Sequence, residues 1–399
     1  MRQQFGKFFR AAFATAIVLA TTGCLTEGDT RTSVPPAVAA HVSVAGFEAI
    51  RFWGDAPPAG AQAAIERQTR QLIAGAATSG VSPTTTHILA ISGGGSDGAF
   101  GAGLLAGWTA HGSRPVFDVV TGVSTGALTA PFAFLGPAYD GTLQRLYTQT
   151  TDADIATRRP LIQALTGDSL ADTTPLRQLI AEHIEEDILD EIARQHGLGR
   201  RLYIATTNLD AQRPVIWDMG AIAATPHPDR LSLFRTVLLA SAAIPAAFPP
   251  VLIRVTADGR HYEELHVDGG TTREVFLLPA GLSLARIDKQ VKNSRPRRLF
   301  IIRNGKVEPE YDRTPNSTLS IAERSVSTLI KNQAIGDIYR MYLDARRDGT
   351  DFNLAYIPAS FDEISGAGFD PEYMSDLYFA GMRAAANGYD WAKVPPEYN

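Results

Sequence analysis

Two short apolar runs in the first half of the chain each end in a glycine-rich turn that leads into an apolar helical stretch. Residues 88–91 are followed by three consecutive glycines, and residues 117–121 are followed by the segment 122–126, which begins and ends with glycine. Short strand-forming runs that alternate with helical stretches are typical of βα units. Because parallel strands need a crossover between them, two such units in succession predict an α/β fold with a mostly parallel sheet.

The same alternation continues along the chain and predicts a sheet covered by helices on both faces. Further strands are predicted at residues 202–206, 215–217, 251–255, 299–302 and 352–357. Helices are predicted at residues 59–76, 127–135, 176–195, 235–242, 320–346 and 371–387. An apolar content of 45% and a charged content of 20% are typical of a folded globular protein. The net charge of −5 and the lack of a basic stripe argue against broad nucleic-acid binding.

The N-terminal residues have the pattern of an export signal. Arg2, Lys7 and Arg10 precede an apolar run at residues 11–20, and Cys24 follows shortly afterwards. Ten helical residues span about 15 Å, roughly half the hydrocarbon core of a membrane. The run is therefore too short for a membrane anchor and fits the apolar region of a signal peptide.

The residues around Cys24 resemble the cleavage site of a bacterial lipoprotein signal, in which the cysteine becomes the lipidated first residue. Cys24 is the only cysteine, so it cannot form a disulfide within one molecule. Thr21 stands three residues before it, where such sites usually have leucine, and an ordinary secretory signal is the alternative. We expect residues 1–23 to be a signal peptide and the lipidated protein to lie at the cell envelope. In lipoproteins of this kind, a residue other than aspartate after the cysteine, here Leu25, is compatible with the outer membrane.

The rest of the chain divides into three predicted parts. They are a tether with a helical prefix, an α/β domain and a C-terminal segment that packs on the core, at residues 24–84, 85–305 and 306–399. Residues 26–36 are rich in Thr, Glu, Asp, Ser and Pro, which predicts a solvated linker. The candidate chemistry lies in the α/β domain.

The second glycine-rich turn, Gly122-Val123-Ser124-Thr125-Gly126, matches the pattern G-x-S-x-G of a nucleophile elbow. A predicted strand enters the turn and an apolar helix leaves it, so Ser124 would stand in strained backbone geometry at a helix N-terminus. Glycines at 122 and 126 avoid backbone clashes in so sharp a turn. The helix dipole favours negative charge that develops at the hydroxyl. The pattern predicts a catalytic serine, and a plain turn capped by serine is the alternative.

The first glycine-rich turn contains Gly93, Gly94, Gly95, Ser96 and Gly98 and directly follows a predicted strand. Consecutive glycines let backbone N–H groups converge on one anion, as an oxyanion hole requires. Because both turns follow strands of a parallel sheet, they would meet at the same edge. We therefore interpret this turn as an oxyanion loop that serves the elbow.

The first turn has three alternative interpretations. A phosphate-binding loop is excluded because no lysine follows the glycines. The dinucleotide pattern G-x-G-x-x-G is formally matched. That pattern also needs an acidic residue at the end of the second strand to bind the ribose, whereas Asp118 stands at the start of the strand. A purely structural turn is the third alternative.

A catalytic serine needs a base, and histidine is the usual one. No histidine follows His266, which argues against the order Ser, acid, His of an α/β-hydrolase triad. Asp268 stands before Gly269 and Gly270 at the end of an apolar run, so a tight loop would present its carboxylate. In a partly desolvated pocket its pKa rises, and it can then accept the proton of Ser124 directly. His266 is the alternative base, and a turn aspartate without a catalytic role is the other alternative.

Together these residues resemble the patatin-like phospholipase family, whose pattern is G-G-G-x-x-G, then G-x-S-x-G, then D-G-[GA] without a histidine. The three motifs occur in this order here, at residues 93–98, 122–126 and 268–270. The segment 241–250 also looks like a family feature near the active site. The resemblance covers about residues 85–305.

The resemblance implies a three-layer α/β/α fold and a Ser–Asp dyad. Ser124 would attack the ester carbonyl of a membrane lipid or another acyl ester, and Asp268 would take its proton and pass it on. Backbone N–H groups of the oxyanion loop would hold the tetrahedral intermediate. No metal or other cofactor is expected, and lipidation at Cys24 would hold the enzyme beside its substrate. The alternative is a non-catalytic envelope lipoprotein that binds lipids.

Overall fold

The computed structural model describes most of the chain. The described residues are 31–58, 60–79, 84–160, 168–277, 282–291, 295–311, 313–363 and 368–396. The predicted signal peptide and the lipidation site at Cys24 lie outside these residues, so both stay predictions.

Strands and helices alternate along the described residues. The strands are β1 (Arg51–Trp53), β2 (Thr86–Ile91), β3 (Val119–Gly122), β4 (Thr157–Arg158), β5 (Ala171–Asp172), β6 (Arg201–Asn208), β7 (Arg213–Asp218), β8 (Val251–Ala257), β9 (Arg260–Asp268), β10 (Arg297–Arg303) and β11 (Asp351–Tyr356). The helices are α1 (Ala61–Ser79), α2 (Gly98–His111), α3 (Thr125–Leu135), α4 (Asp140–Gln149), α5 (Asp152–Ile155), α6 (Thr174–His183), α7 (Glu186–Gly197), α8 (Met219–Ala224), α9 (Arg230–Ser241), α10 (Leu284–Val291), α11 (Thr318–Asp348) and α12 (Pro371–Ala386).

One large sheet forms the centre of the molecule, in the order β1-β7-β6-β3-β2-β10-β11. Strands β6, β3, β2, β10 and β11 run parallel to one another, whereas β1, β7 and β9 pair antiparallel. The hairpin of β8 and β9 joins the sheet at the end of β6, where Thr206 pairs with Asp268. The predicted α/β fold with a mostly parallel central sheet is confirmed.

The central strands are buried on both faces, which explains their continuous apolar sequences. On β2, Leu89 and Ile91 pack into a core with the helices on one face. Ile88 and Ala90 point to the other face and pack with Ile338 of α11 and its neighbours. The sheet thus separates two apolar cores, and its strand ends are left to present polar groups.

One predicted helix, at residues 176–195, is wrong as a single element. The chain forms α6 and α7 instead, with a break after His183. Arg235 of α9 donates to the carbonyl oxygens of Ile184 (2.7 Å) and Ala181 (2.8 Å). A side chain from another helix therefore satisfies the carbonyl groups at the end of α6. Because this partner is distant in the sequence, no local residue pattern marks the end of the helix.

Strand β9 was not predicted, because most of its residues are polar. Glu264 and His266 are completely buried on it, and Glu264 pairs with Arg51 of β1. The signal that indicates the hairpin is Asp258-Gly259, whose φ angles of 49° and 73° suit a tight turn between antiparallel strands. This hairpin delivers Asp268 to the sheet edge.

Where the structure describes the linker predicted at residues 26–36, most of its residues are exposed, but its backbone is attached to the domain. The carbonyl oxygen of Thr32 accepts the backbone N–H of Glu263 (2.9 Å), and Arg31 forms an ion pair with Asp210. One main-chain hydrogen bond to β9 and the ion pair of Arg31 hold this polar, turn-rich segment on the domain. The chain is therefore attached to the domain from residue 31 onwards.

Helix α12 of the C-terminal segment packs against α2 at very short range. A Cβ atom at Gly103 would collide with the carbonyl oxygen of Tyr378, and one at Gly107 would collide with that of Met382. Conversely, a Cβ atom at Gly381 would lie 2.5 Å from the carbonyl oxygen of Phe100. Glycine is needed here because the two backbones are in direct contact.

We expect Gly103→Ala to lower the free energy of unfolding by about 2 kcal/mol, since overpacking a close contact costs about 1–3 kcal/mol. The matched control is Gly336→Ala in α11, where a Cβ atom meets nothing within 4 Å. Alanine should stabilise that helix by up to about 1 kcal/mol. Urea unfolding measures both, and equal effects of the two substitutions would contradict the close packing of α2 and α12.

Candidate active site

Ser124 lies at the sharp turn between β3 and α3. Its φ and ψ angles of 53° and −125° are unusual for a residue with a side chain. A Cβ atom at Gly122 would collide with the carbonyl oxygen of Gly126, and one at Gly126 would collide with that of Ile91. The two glycines are thus required by backbone contacts within the turn and with the end of β2.

The backbone of Ser124 is held by a residue far away in the sequence. Its N–H donates to Ser241 Oγ (3.0 Å), and the Ser241 hydroxyl donates to the carbonyl oxygen of Ala205 on β6 (2.7 Å). Ser241 is the last residue of α9 and is completely buried. It lies in the segment 241–250 that resembles a family feature, and its contact gives that segment a physical role.

Asp268 ends β9 and is brought to Ser124 by the antiparallel pairing of β9 with β6. Its Oδ1 accepts the backbone N–H of Gly270 (2.7 Å), which fixes the carboxyl in the tight turn. Burial raises the pKa of Asp268 to about 7, against the opposing effect of hydrogen bonds from the Ser124 hydroxyl and the Gly270 N–H. The two candidate catalytic groups are therefore in contact, and the acid has the proton affinity of a useful base.

The second oxygen of this carboxyl, Oδ2, is buried and has no partner of full hydrogen-bond geometry among the described residues. The Ser124 hydroxyl is near enough to lower the pKa of this carboxyl, yet it makes no full hydrogen bond to Oδ2. Catalytic hydrogen bonds are often long or poorly aligned before substrate binds. An unsatisfied carboxylate oxygen next to a serine is a site that can receive a proton.

The oxyanion loop passes beside Ser124 and leads through a short 3₁₀ turn, Gly95–Asp97, into α2. Gly94 has a φ angle of 152°, and a Cβ atom there would collide with the carbonyl oxygen of Asn304. The backbone N–H groups of Gly94, Gly95 and Ser96 find no protein acceptor in the described ranges. The first N–H groups of a helical turn have no partner within it, so they are free to bind an anion.

One predicted oxyanion donor, Gly93, is wrong. Its N–H donates to the carbonyl oxygen of Glu274 (3.2 Å) and so is already engaged within the protein. The motif glycines Gly98, Gly269 and Gly270 serve the shape of the two loops, because a Cβ atom at each would lie within 2.7 Å of a neighbouring atom. The donors still predicted are those of Gly94, Gly95 and Ser96.

The alternative mechanism requires His266 to contact Ser124, but its ring contacts other side chains. Its Nδ1 lies 2.9 Å from Thr206 Oγ1, and its Nε2 lies 3.0 Å from Glu264 Oε2. The side chain is completely buried, and burial lowers its pKa. Both ring nitrogens are engaged away from Ser124, so the geometry does not support His266 as the base.

An apolar cavity of about 70 Å³ opens beside the candidate nucleophile. Ser124, Thr125 and Gly95 line it together with mostly apolar side chains from several helices, which are Leu128, Leu146, Tyr147, Thr150, Ile155, Leu176, Leu179, Ala242, Ile244, Phe248, Phe369 and Met374. Phe369 and Met374 come from the C-terminal segment, for which the sequence contained no functional signal.

Within the described ranges no group of three or more His, Cys, Asp or Glu side chains is arranged to hold a metal ion. None of the described helices combines the length and apolar character that crossing a membrane requires.

Fold and site together define an α/β protein in which an elbow serine, a glycine-rich loop and a buried aspartate meet at one edge of the sheet. Residues 89–280 match the family model described as Patatin-like phospholipase. The chain therefore contains a patatin-like phospholipase domain, as its three ordered motifs predicted. The matched region includes both Ser124 and Asp268.

The other comparisons found more distant likenesses. No curated protein matches the sequence significantly. Among solved structures, VipD from Legionella pneumophila is 11% identical, with a TM-score of 0.39 over 76% of this chain and 67% of that one. Human GIVD cytosolic phospholipase A2 is 9% identical, with a TM-score of 0.31 over 78% of this chain and 55% of that one. Neither likeness extends what the family match establishes.

The backbone of Ser124 leads to a stability prediction. We expect Ser124→Gly to have a free energy of unfolding about 1 kcal/mol above that of Ser124→Ala. Glycine relieves backbone strain of about 1–3 kcal/mol, of which its own flexibility offsets about 0.5–1 kcal/mol. Both variants lose the hydroxyl, so that loss cancels in the comparison.

Ser325 in α11 is the control, because it is exposed and helical. There the glycine variant should be less stable than the alanine variant by about 1 kcal/mol. Urea unfolding of the four variants measures both differences. The same sign at both positions would mean that Ser124 is not strained.

Proposed function

We propose that this protein is a lipid acyl hydrolase that cleaves carboxylic esters with Ser124 as nucleophile and Asp268 as general base. The observation that carries the proposal is the contact between a strained elbow serine and a buried aspartate of raised pKa. The family match and the apolar cavity beside Ser124 support a lipid substrate.

Acylation would begin with Asp268 as a carboxylate. It accepts the Ser124 proton while Oγ attacks the ester carbonyl carbon, and the carbonyl oxygen becomes an oxyanion. The N–H groups of Gly94 and Gly95 hydrogen-bond to that oxyanion, and the N-terminus of α3 adds its dipole. Asp268 then returns the proton to the leaving alcohol as the carbon–oxygen bond breaks, which leaves an acyl-enzyme.

Deacylation would repeat these steps with water. Asp268 accepts a proton from the water that attacks the acyl-enzyme, and the carboxylic acid leaves when Ser124 regains its proton. A carboxyl of ordinary pKa would be a weak base at neutral pH. Burial makes Asp268 a stronger base, which supports a mechanism without histidine.

The apolar lining of the cavity supports a substrate with an apolar acyl chain. Most of its lining is aliphatic or aromatic, so binding removes apolar surface from water at roughly 25 cal/mol per Å². Leu176 and Leu179 of α6 and Phe369 and Met374 near α12 come from opposite parts of the chain. The acyl chain would therefore lie between α6 and the C-terminal helix α12.

We also propose that the enzyme works at the envelope membrane through lipidation at Cys24. Thr32, which is hydrogen-bonded to β9, follows Cys24 by only eight positions. Eight extended residues reach at most about 29 Å. If Cys24 is lipidated, the domain is therefore held close to the bilayer, within reach of membrane lipids.

The test of the catalytic proposal is hydrolysis of short-chain p-nitrophenyl esters and of phosphatidylcholine vesicles. We expect Ser124→Ala and Asp268→Asn each to lower kcat/KM by about 10³-fold or more, because one removes the nucleophile and the other the base. The matched control is Asp118→Asn at the other end of β3, also a buried aspartate of raised pKa, which should keep its activity.

The outcomes separate the competing functions. Asp268→Asn with the wild-type rate would rule out the dyad. A folded wild-type protein that neither hydrolyses these substrates nor reacts with a fluorophosphonate probe would instead be the non-catalytic lipid-binding lipoprotein.

The raised pKa of Asp268 leads to a pH prediction. The base must be ionised to act, so kcat/KM should fall about tenfold per pH unit below about pH 7 and level off above it. This fall in kcat/KM is measured from the rates of hydrolysis of a soluble ester between about pH 5 and 9, with circular dichroism as a check on folding. If kcat/KM instead fell only near pH 4, the ordinary pKa of aspartate, burial would not raise the pKa of this carboxyl.

A further inference from the structure

The side chain of Glu274 lies between the oxyanion loop and the turn that follows Asp268. A Cβ atom at Gly93 would be 2.7 Å from its Oε1, and a Cβ atom at Gly270 would collide with its Oε2. The residue is completely buried, and the proposed mechanism does not use it. One carboxyl group therefore touches the oxyanion loop on one side and the Asp268 turn on the other.

Arg303, the last residue of β10, holds this carboxyl in place. Its Nη1 donates to Glu274 Oε1 (3.0 Å) and also to the carbonyl oxygen of Gly93 and the hydroxyl of Ser92, both at 3.2 Å. The backbone N–H of Asn304 also donates to Ser92 Oγ (2.9 Å). The guanidinium thus ties Glu274 to the residues that start the oxyanion loop.

The main chain of Glu274 is fixed as well. Its carbonyl oxygen accepts the Gly93 N–H (3.2 Å), and its N–H donates to Asp337 Oδ2 of α11 (2.9 Å). Asp337 in turn pairs with Arg273 (3.3 Å). Burial raises the pKa of Glu274 to about 8 against the pull of Arg303, and the nearby Asp268 carboxylate adds to the rise.

We propose that Glu274, held by Arg303, is a positioning residue that sets the distance between the oxyanion loop and Asp268. This inference rests on the proposed function, because it assumes that these two loops act on one reacting carbonyl. Neither Glu274 nor Arg303 lines the cavity, so both act through the loops. A misplacement of about 1 Å in catalytic groups can lower the rate about 100-fold, and the pair prevents such a shift.

The first test compares Glu274→Ala with Glu274→Gln. Alanine leaves a gap between the loops, and kcat should fall about 100-fold with little change in KM. Glutamine keeps the shape and one acceptor for Arg303, so kcat should recover to within about tenfold of wild type. The rate of fluorophosphonate labelling should follow kcat, because that reaction also needs the oxyanion donors in place.

The matched control is Asp140→Ala, which breaks the ion pair with Arg114 (2.6 Å) at the start of α4. The Arg114 side chain is about as buried as that of Arg303, so the loss of thermal stability should be similar. The values of kcat and KM should not change. A purely structural role of Glu274 would give the same pattern as this control.

A further variant covers the case in which Glu274→Ala does not fold. Glu274→Met combined with Arg303→Met replaces a buried ion pair by apolar side chains, which proteins often tolerate without loss of stability. This folded variant should still show the fall in kcat. A kcat within twofold of wild type in the double variant or in Glu274→Ala would overturn the proposal.

The two proposals fail in different ways. If Ser124→Ala and Asp268→Asn abolish hydrolysis but the Glu274 variants do not, only the positioning role is wrong. If Ser124→Ala and Asp268→Asn stay active, the proposed function itself is wrong, and the role of Glu274 falls with it.

Discussion

The parallel pairing of β2 with β3 is the constraint on which the rest of the site depends. It places Ile91 opposite Gly122, so both strands end at one level and their glycine-rich turns lie side by side. The contact of Gly126 with the end of β2 allows no residue with a side chain at that position. Asp268 reaches the same edge from the opposite direction, through the antiparallel hairpin on β6. The register of the strands therefore brings the oxyanion loop, the elbow and the Asp268 turn together at one edge of the sheet.

Buried carboxyl groups concentrate around this edge. Desolvation raises the pKa of Asp268 to about 7 and that of Asp97 in the oxyanion loop to about 6. Asp97 accepts a hydrogen bond from the Tyr373 hydroxyl of α12 (2.7 Å), while Glu274 is held by Arg303. Each burial opposes folding unless a partner compensates it, so the raised pKa of the candidate base comes at some expense of stability. The unusual backbone of Ser124 belongs to the same pattern.

Residues beyond the matched family region complete the site. The match ends at residue 280, yet Arg303 supports the oxyanion loop, and Phe369 and Met374 line the cavity. The close packing of α12 on α2 carries these two side chains to the cavity, since α2 begins at the oxyanion loop. The C-terminal segment is thus physically part of the candidate acyl-binding region. Its side chains are where chain-length preference would be decided.

What the sequence alone determined are the features that depend on neighbouring residues. The βα pattern, the elbow around Ser124 and the turn after Asp268 all require particular residues at short spacing, so local backbone sterics made them visible. The tertiary structure alone decided the features that join distant residues. These are the capture of the Gly93 N–H by Glu274, the burial of His266, the pairing of Glu274 with Arg303 and the lining of the cavity. Such contacts leave no periodic or short-range signal, because the partners are brought together only when the sheet forms.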